Sequence, residues 1–597
     1  MIKLSDYIAK RLKEVYRIKH VFMISGGGAM HLNDSFGKYI PYICNHHEQA
    51  SAIAAEGYAR LNNDLAVVNV TTGPGGLNCL NGVFGQWTDT VPVLYISGQV
   101  KFSTTIASCP DLNLRQLGDQ EVDIISVVKP LTKYAVMIKN PNEIKYHLDK
   151  AVYEATHGRK GPVWIDIPMN IQSAIIDENK LISFTEKNQN IDKDLNFLIK
   201  ETVKKINLSK RPLIVAGNGI RLSGHEKNFA DIIKKLKIPT VTTFNGIDLF
   251  GNDDKNYVGR IGTIGQRCGN FALQNADLIL FFGTRNNIRQ VSYNWENFAK
   301  NAFKIIIDID KNELKKPLVK PDLAINADLA DFLPAFEKNI QSIKIKELQR
   351  WRKFCKKIQS KYSFENTSEY KQKSGRKINP YYFINTLTGL LNKKDIIVAG
   401  NGSACVCLFQ AGIVKQGQRI IMNSGDASMG YDLPASIGAC VASNNKRRTV
   451  CLAGDGSVMM NLQELQTIKN YNLPVKIFIL NNNGYISIRQ TQNNFFNGRL
   501  TACSVCSGVT LPDFTKIGKS FNLKSIKIKK ATLLEKQIKE VLDYNGPVLC
   551  EVILESDYIF LPKLSSKKLE DGTMISPSLE DMYPFLDRKE FEENIIK

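Results

Sequence analysis

The sequence has 597 residues, of which 43% are hydrophobic and 23% are charged. This balance is typical of globular proteins and argues against the disordered and fibrous classes. At about 100–200 residues per domain, the length predicts several domains and excludes a very small protein that depends on disulfides. Lys and Arg exceed Asp and Glu by 79 to 58, so the formal net charge is +21. The basic residues are scattered over predicted helix faces without interleaved aromatic residues, which favours a lysine-rich solvated surface over a nucleic-acid-binding one.

The sequence also limits the possibilities for membrane spans, disulfide bonds and histidine-based sites. No apolar run approaches the ~18 residues that a membrane-spanning helix needs, and the first eight residues resemble an amphipathic helix rather than a signal peptide. We therefore expect a cytoplasmic protein with no membrane and no nucleic-acid partner. The 12 cysteines are diluted along the chain, so we interpret them as reduced thiols. All seven histidines lie at or before His225, so chemistry in the C-terminal half must proceed without local imidazole.

Three blocks of the sequence alternate short apolar strands with amphipathic helices, a pattern typical of mostly parallel sheets. We place these blocks, and the segment that follows them, at residues 1–180, 195–340, 380–558 and, for the C-terminal tail, 559–597. The sequence therefore predicts the α/β class with three doubly wound parallel-sheet domains.

The most specific motif lies in the third block. A predicted strand ends in Gly454-Asp455-Gly456-Ser457, where backbone N–H groups can approach an anion at a helix N-terminus and Asp455 offers the oxygen ligand that Mg2+ prefers. Asn482 follows one predicted helix and one predicted strand later, which returns it to the same carboxyl edge of the sheet. Gly-Asp-Gly alone would predict only a turn, but the combination predicts a cradle for a diphosphate and Mg2+.

At this point the sequence resembles the thiamine-diphosphate enzymes, and among them the catalytic subunits of acetolactate synthases. The resemblance covers nearly the whole chain. It implies a pyrimidine-binding first domain, a central FAD-binding or Rossmann-like domain, and a diphosphate-binding third domain. It also implies that Asp455, Asn482 and the backbone carbonyl of Gly484 hold Mg2+ on the cofactor. The other implied contacts with thiamine diphosphate are Ser403, Ser428, Met429 (between the two cofactor rings), Gly454, Gly456 and Ser457.

The first block carries the matching half of the implied site. Glu48 and the segment 54–60 resemble the catalytic-glutamate segment of the family, in which a carboxyl group contacts the pyrimidine ring and makes it a base. A glutamate on an ordinary surface helix is the alternative, which the alanine-rich flanks disfavour. The resemblance also places Gln120 beside the reacting carbons, and Gly26 and Gly27 in a backbone turn over the same site.

The resemblance has a consequence for assembly. In this family the catalytic glutamate and the diphosphate cradle meet across a subunit interface. The resemblance therefore implies a homodimer or tetramer, with a regulatory subunit as a further candidate partner.

The second block contains glycines and polar residues in the order seen in flavin-binding members of the family. Glycines let the backbone approach a pyrophosphate, arginines pair with it, and an acid accepts hydrogen bonds from ribose hydroxyls. We predict FAD, in a structural role because a carboligation moves no net electrons; a ligand-free Rossmann-like domain is the alternative. The candidate FAD residues are Gly217, Gly219, Thr243, Phe244, Asn245, Gly262, Gly265, Gly283, Arg285, Arg289, Asp308 and Asp328.

The sequence departs from the family pattern in the implied substrate pocket. Asp119 stands where acetolactate synthases have a Phe, and Ser487 and Thr491 correspond to the Met and Trp of the family pocket. A pocket with these side chains is roomier and better at hydrogen-bonding hydroxyl groups.

The resemblance implies an enzyme that removes CO2 from a 2-oxoacid, pyruvate, and transfers the remaining two-carbon acyl unit to a second carbonyl. The acceptor stays open. A second 2-oxoacid would give a precursor of branched-chain amino acids, whereas a keto-sugar would give a branched sugar for surface polysaccharides. A flavin-dependent pyruvate oxidase is a further alternative.

Overall fold

The computed structural model describes residues 1–186, 194–568, 570–571 and 573–596. Within these ranges, three six-stranded sheets account for most of the strands, and every strand pair inside them is parallel. No described helix has both the length and the apolar character that crossing a bilayer requires.

The first block contains one six-stranded sheet and a short antiparallel pair. Its strands are β1 Ile2–Lys3, β2 Val21–Met23, β3 Tyr42–Cys44, β4 Ala66–Val70, β5 Val93–Gln99, β6 Tyr134–Met137, β7 Val163–Pro168 and β8 Ile175–Ile176. Its α-helices are α1 Leu4–Glu14, α2 Met30–Tyr39, α3 Glu48–Asn62, α4 Pro74–Leu77, α5 Leu80–Asp89, α6 Ile124–Val128, α7 Ile144–Thr156 and α8 Met169–Gln172. The strand order is β3-β2-β4-β5-β7-β6, and β1 pairs with β8.

The second block has a different strand order. Its strands are β9 Pro212–Ala216, β10 Thr240–Thr242, β11 Tyr257–Arg260, β12 Leu278–Phe282, β13 Phe303–Asp308 and β14 Leu323–Asn326. Its helices are α9 Leu195–Leu208, α10 Gly219–Leu222, α11 Glu226–Leu236, α12 Arg267–Asn275, α13 Ile288–Val291, α14 Lys311–Lys315 and α15 Leu329–Glu337, followed by α16 Leu348–Lys361. The order β11-β10-β9-β12-β13-β14 is that of dinucleotide-binding folds.

The third block repeats the topology of the first. Its strands are β15 Ile396–Ala399, β16 Arg419–Met422, β17 Thr449–Gly454, β18 Val475–Asn481, β19 Lys524–Ile528 and β20 Val548–Ile553. Its helices are α17 Pro380–Leu390, α18 Ser403–Ala411, α19 Asp432–Ala442, α20 Asp455–Val458, α21 Glu464–Asn470, α22 Ile486–Phe495, α23 Phe514–Ser520 and α24 Leu534–Asp543. The order β16-β15-β17-β18-β20-β19 matches the first block strand for strand.

These sheets confirm the predicted α/β class with three parallel-sheet domains. The central strands are apolar and buried, as in β12, because helices cover both faces of each sheet. Each predicted range, 1–180, 195–340 and 380–558, contains one of the sheets, and the boundaries themselves stay predictions.

The C-terminal tail packs on the second block. It contains the pair β21 Lys567–Lys568 and β22 Met574–Ile575, and the helix α25 Arg588–Glu593. Asn270 Nδ2 donates to the carbonyl of Leu579 at 3.0 Å, and Arg267 donates to the carbonyl of Met582 at 3.1 Å. Leu579 and Met582 are both buried, so this part of the tail extends the apolar core beside α12.

The first and third blocks are held together by α3 and α19, which cross in close contact. A Cβ atom on Gly438 would clash with the carbonyl oxygen of Ala54, and one on Gly57 would clash with that of Ala435. A single buried apolar cluster includes side chains of both helices, so the two blocks share one core. The approach of the two backbones therefore requires glycine at both crossing points.

We expect Gly438→Ala to destabilise the protein by roughly 1–3 kcal/mol or more, because the added methyl group overpacks the crossing of α3 and α19. The matched control is Gly389→Ala, another helical glycine, whose Cβ would meet only Ile413 at 3.7 Å. The control should be neutral or slightly stabilising. Thermal unfolding followed by differential scanning fluorimetry checks this, and equal unfolding temperatures for the two variants would contradict it.

Candidate active site

Glu48 is the first residue of α3 and is held by two neighbours. His47 caps the helix, since its Nδ1 accepts from the backbone N–H of Gln49 at 3.1 Å. Asn78 Nδ2 donates to Glu48 Oε2 at 3.0 Å. Glu48 is half-buried, and no hydrogen bond from a described residue reaches its Oε1. The carboxylate is thus oriented by the helix start and by Asn78, with one oxygen left for another partner.

The other first-block candidates surround the turn that follows β4. Gly73 has φ +62°, and a Cβ there would clash with the carbonyl oxygen of Gln120. A Cβ on Gly26 would lie 2.5 Å from the Cβ of Thr71, whereas one on Gly27 would meet nothing within 4 Å. The structure therefore brings Gly26 and Gln120 to the same turn, and Gly27 faces open space beside it.

The third-block cradle is built by the ends of β17 and β18. Asp455 Oδ1 accepts from the N–H of Gly456 at 2.7 Å, and Oδ2 accepts from the N–H groups of Asn482 and Gly484 at 3.0 Å each. Burial raises the pKa of Asp455 to about 6, while these backbone donors favour its charged form. Asp455, Asn482 and Gly484 thus meet at one carboxyl edge; the spacing predicts this for Asp455 and Asn482, and the resemblance implies it for Gly484.

The oxygen atoms of this cradle suit Mg2+. Asn482 is 3% exposed, and its side-chain oxygen Oδ1 is buried without a hydrogen-bond partner among the described residues. Arg489 holds the loop by donating to the carbonyls of Asn482 at 2.8 Å and Asn483 at 2.6 Å. A carboxylate, a buried amide oxygen and the carbonyl of Gly484, whose own N–H bonds Asp455, are the hard oxygen donors that Mg2+ prefers, so the residues fit the ion.

The loop that carries Met429 is tied to the same cradle. Ser457 Oγ donates to Asp432 Oδ2 at 2.6 Å and accepts from the N–H of Gly430 at 2.9 Å. Ser428 Oγ donates to the carbonyl of Met429 at 2.9 Å, and Met429 is half-buried. Burial also raises the pKa of Asp432 to about 6. The turn 454–457 and the Met429 loop therefore form one unit.

The candidate substrate-pocket residues lie in two different blocks of the chain. Ser487 and Thr491 are one turn apart on α22, and Ser487 Oγ lies 3.7 Å from where a Cβ on Gly402 would be. This places Ser487 beside the residue that precedes Ser403. Asp119 is exposed, next to Gln120 in the first block.

Two residues near the cradle were missed by the sequence reasoning. Arg489 clamps the carbonyls after β18, and Tyr558 hydrogen-bonds both Ser403 and Asn482. Neither lies in a motif, because each reaches the cradle only through its side chain after the chain has folded.

The second block forms a cavity of about 300 Å³ at the point where its strand order reverses, between β9 and β12. Ligands bind at such switch points in open α/β sheets. The candidate FAD residues that line the cavity are Gly219, Thr243, Phe244, Asn245, Gly262, Gly283, Arg285, Arg289, Asp308 and Asp328. Gly217 and Gly265 do not line it; they allow close backbone packing, against Gly283 and against Arg260 and Gly262.

The side chains of this cavity suit a dinucleotide. The side-chain oxygens of Asn218 and Asn245 are buried, and no residue in the described part of the chain hydrogen-bonds them. Arg289 lies over the ring of Phe244 at 5.4 Å. Burial raises the pKa of Asp308 to about 6. Cationic groups, an acid and unsatisfied polar atoms at the switch point match the groups of FAD, so the residues fit this cofactor.

The first block contributes a wall of the cavity that the sequence reasoning assigned to the second block alone. Asp89 accepts from Arg60 at 2.7 Å, from the N–H of Ser424 at 3.0 Å and from Arg285 at 3.5 Å, so it joins all three blocks. Arg159 also lines the cavity. Only the packing of the blocks brings these residues to the site.

The Glu48 and Asp455 clusters belong to different blocks of the chain. Among the described residues, no hydrogen bond or ion pair joins them. One polar link between the first and third blocks lies close to Glu48 in the sequence: Glu464 accepts from Asn45 Nδ2 at 2.8 Å and from the N–H of His46 at 2.9 Å.

Three family models match the chain. They are the thiamine pyrophosphate enzyme N-terminal TPP binding domain at residues 2–126, the central domain at 199–336 and the C-terminal TPP binding domain at 400–552.

Similar proteins span nearly the whole chain. The acetolactate synthase large subunit of Lactococcus lactis subsp. lactis is 30% identical over 94% of this chain and 94% of its own length. That of Cyanidium caldarium is 29% identical over 93% of both chains. The probable acetolactate synthase large subunit of Methanocaldococcus jannaschii is 29% identical over 93% of this chain and 92% of its own. The chain thus belongs to the thiamine pyrophosphate enzyme family, and to its acetolactate synthase group, as the sequence motifs predicted.

Proposed function

We propose that this chain is a thiamine-diphosphate- and Mg2+-dependent carboligase of the acetolactate synthase type. It would take a two-carbon acyl unit from pyruvate, with loss of CO2, and transfer it to a second carbonyl. The observation that carries the proposal is the cradle in which Asp455, Asn482 and Gly484 meet, where the side-chain oxygen of Asn482 is buried and accepts from no described residue. Similarity to acetolactate synthase large subunits over nearly the whole chain supports it.

The cradle residues would hold the cofactor through its diphosphate. Asp455, Asn482 and Gly484 would ligate Mg2+, and the turn 454–457 would face the anion at the start of α20. Met429 would support the rings of the cofactor from the loop tied to Ser457. Thiamine diphosphate, when bound, supplies the electron sink that lets a 2-oxoacid lose CO2.

Glu48 would act on the cofactor from the first block. Asn78 holds one carboxylate oxygen, so the other can exchange a proton with a ring nitrogen. Gln120, Gly26 and Gly27 would surround the reacting carbons. Because no hydrogen bond or ion pair between described residues joins the Glu48 and Asp455 clusters, we propose a homodimer or tetramer in which they meet across subunits, with a regulatory subunit as a further partner. A cytoplasmic location belongs to the same proposal.

FAD would occupy the cavity of the second block. Its pyrophosphate would face Arg285 and Arg289, and its ribose hydroxyls would face Asp308 or Asp328. A carboligation moves no net electrons, so the flavin would be structural.

A keto-sugar is the second candidate acceptor. The observation in its favour is that Ser487 and Thr491 place two hydroxyl groups on one face of α22, with Ser487 beside Gly402 near the cradle. Hydroxyl side chains recognise a polyol better than a bare methyl ketone.

We expect Glu48→Gln to lower the release of CO2 from pyruvate by about 10²–10⁴-fold while thiamine diphosphate still binds, because the amide cannot exchange the proton. The matched control is Glu154→Gln, the same change on the half-buried side of α7. Release of labelled CO2 measures the effect. Unchanged turnover in Glu48→Gln would contradict the proposed mechanism.

We expect the acceptor to be revealed by the mass of the product when the protein is incubated with thiamine diphosphate, Mg2+ and pyruvate, with and without a keto-sugar. If Ser487 and Thr491 recognise hydroxyl groups, the double variant Ser487→Met, Thr491→Trp should lose transfer to the keto-sugar and keep transfer to pyruvate. Acetolactate as the sole product under every condition would exclude the keto-sugar.

We expect the purified protein, or protein reconstituted with FAD, to show flavin absorption that is lost in Gly219→Val. A Cβ at Gly219 would lie 2.6 Å from the Cα of Gly283, so the valine would distort the turn that faces the cavity. The control is Gly37→Val, whose Cβ would lie 3.9 Å from Tyr42. A native protein that takes up no flavin would support the ligand-free alternative, and reduction of the flavin by pyruvate would favour the oxidase.

A further inference from the structure

The side-chain amide of Asn482 has one end fully engaged and the other end free. Its Nδ2 donates to Ser403 Oγ at 3.0 Å and to Tyr558 OH at 3.3 Å. An amide nitrogen carries two N–H donors, so both are used. Its Oδ1 is buried and accepts from no described residue. A buried amide oxygen without a donor is costly, which indicates that it serves a ligand absent from the polypeptide.

Hydrogen-bond accounting extends this argument to the two hydroxyl groups. Ser403 Oγ and Tyr558 OH also hydrogen-bond each other. Each hydroxyl has one proton, and each oxygen accepts from Asn482. One of the two protons is used between the hydroxyls, so the other stays available to an acceptor in the cradle.

Tyr558 is held in place by the backbone around it. It follows β20 and is 9% exposed. Gln490 Nε2 donates to its carbonyl at 3.2 Å, and Arg489 donates to the carbonyl of Ser556 at 3.0 Å. Its ring also packs edge-on against Phe560 at 5.7 Å. The segment 556–560 is therefore anchored to α22. These hydrogen bonds and the contact with Phe560 hold the phenol of Tyr558 beside the cradle.

We infer that Tyr558, together with Ser403, is a positioning residue that fixes the amide of Asn482 with its oxygen toward the cation and offers one remaining hydroxyl proton to the bound anion. This inference rests on the proposed function. Outer partners that orient a ligand typically contribute 10–100-fold to metal affinity. Without the hydroxyl, the amide could rotate and present its NH2 group, which binds no cation.

The test compares Tyr558→Phe, which removes only the hydroxyl, with Tyr381→Phe. Tyr381 is a buried tyrosine, 1% exposed, whose hydroxyl donates to Gln410 and accepts from the N–H of Leu561, both at 2.8 Å; among the described residues it makes no hydrogen bond to Asn482. Thiamine diphosphate binding is titrated against Mg2+ by intrinsic fluorescence and by calorimetry on the full-length protein. We expect Tyr558→Phe to raise the Mg2+ concentration for half-maximal binding by about 10-fold, Ser403→Ala to do likewise, and Tyr381→Phe to leave it unchanged.

Two outcomes separate failure of this inference from failure of the proposed function. If Asp455→Asn and Asn482→Ala both retain Mg2+-dependent binding, the cradle itself is wrong. If those variants lose binding while Tyr558→Phe titrates like the native protein, the cradle stands and the positioning role of Tyr558 is overturned. An equal shift in Tyr381→Phe would also overturn it, because a loss of core stability would then explain the effect.

Discussion

The contact between α3 and α19 is the constraint on which the rest of this structure depends. Glu48 is the first residue of α3, and the Met429 loop leads directly into α19. Gly57 and Gly438 allow the two helices to touch, so the same crossing sets the position of both halves of the candidate site. The packing of backbone on backbone tolerates almost no added volume, because protein interiors are already close-packed.

In all three blocks, the candidate site residues lie at the carboxyl ends of the parallel strands. The first and third blocks have the same strand order, and in each the candidate residues lie where strands end at the carboxyl edge. The second block has the dinucleotide-binding order, and its cavity lies at the corresponding reversal point. Buried carboxylates such as Asp455 and Asp432, whose pKa values burial raises, are kept close to backbone N–H donors at these edges. The candidate functional groups therefore lie together at the carboxyl edges of the sheets, where backbone N–H and C=O groups are no longer paired with a neighbouring strand.

Single motifs predict the positions of residues best where the residues are separated by one or two elements of ordinary length. Asp455 and Asn482 meet because a helix and a strand of ordinary length separate them, and this distance can be read from the sequence. Most of the predicted FAD residues line one cavity for a similar reason. Gly217 and Gly265 differ, because a glycine needed for backbone packing has the same sequence signature as one needed for a ligand. The sequence shows that Gly217 and Gly265 are glycines, but it does not show whether each one lies against a ligand or against the protein backbone.

The sequence by itself determined the class of fold, the three parallel sheets and the family, because apolar periodicity and short glycine-acid motifs are local properties of the chain. The tertiary structure alone decided which distant side chains complete each site. Asp89 reaches Arg285 and Ser424, and Tyr558 reaches Ser403 and Asn482, across many residues of intervening chain. Such contacts depend on how whole blocks pack, and packing is settled by complementary volume and satisfied hydrogen bonds, which no short segment of sequence encodes.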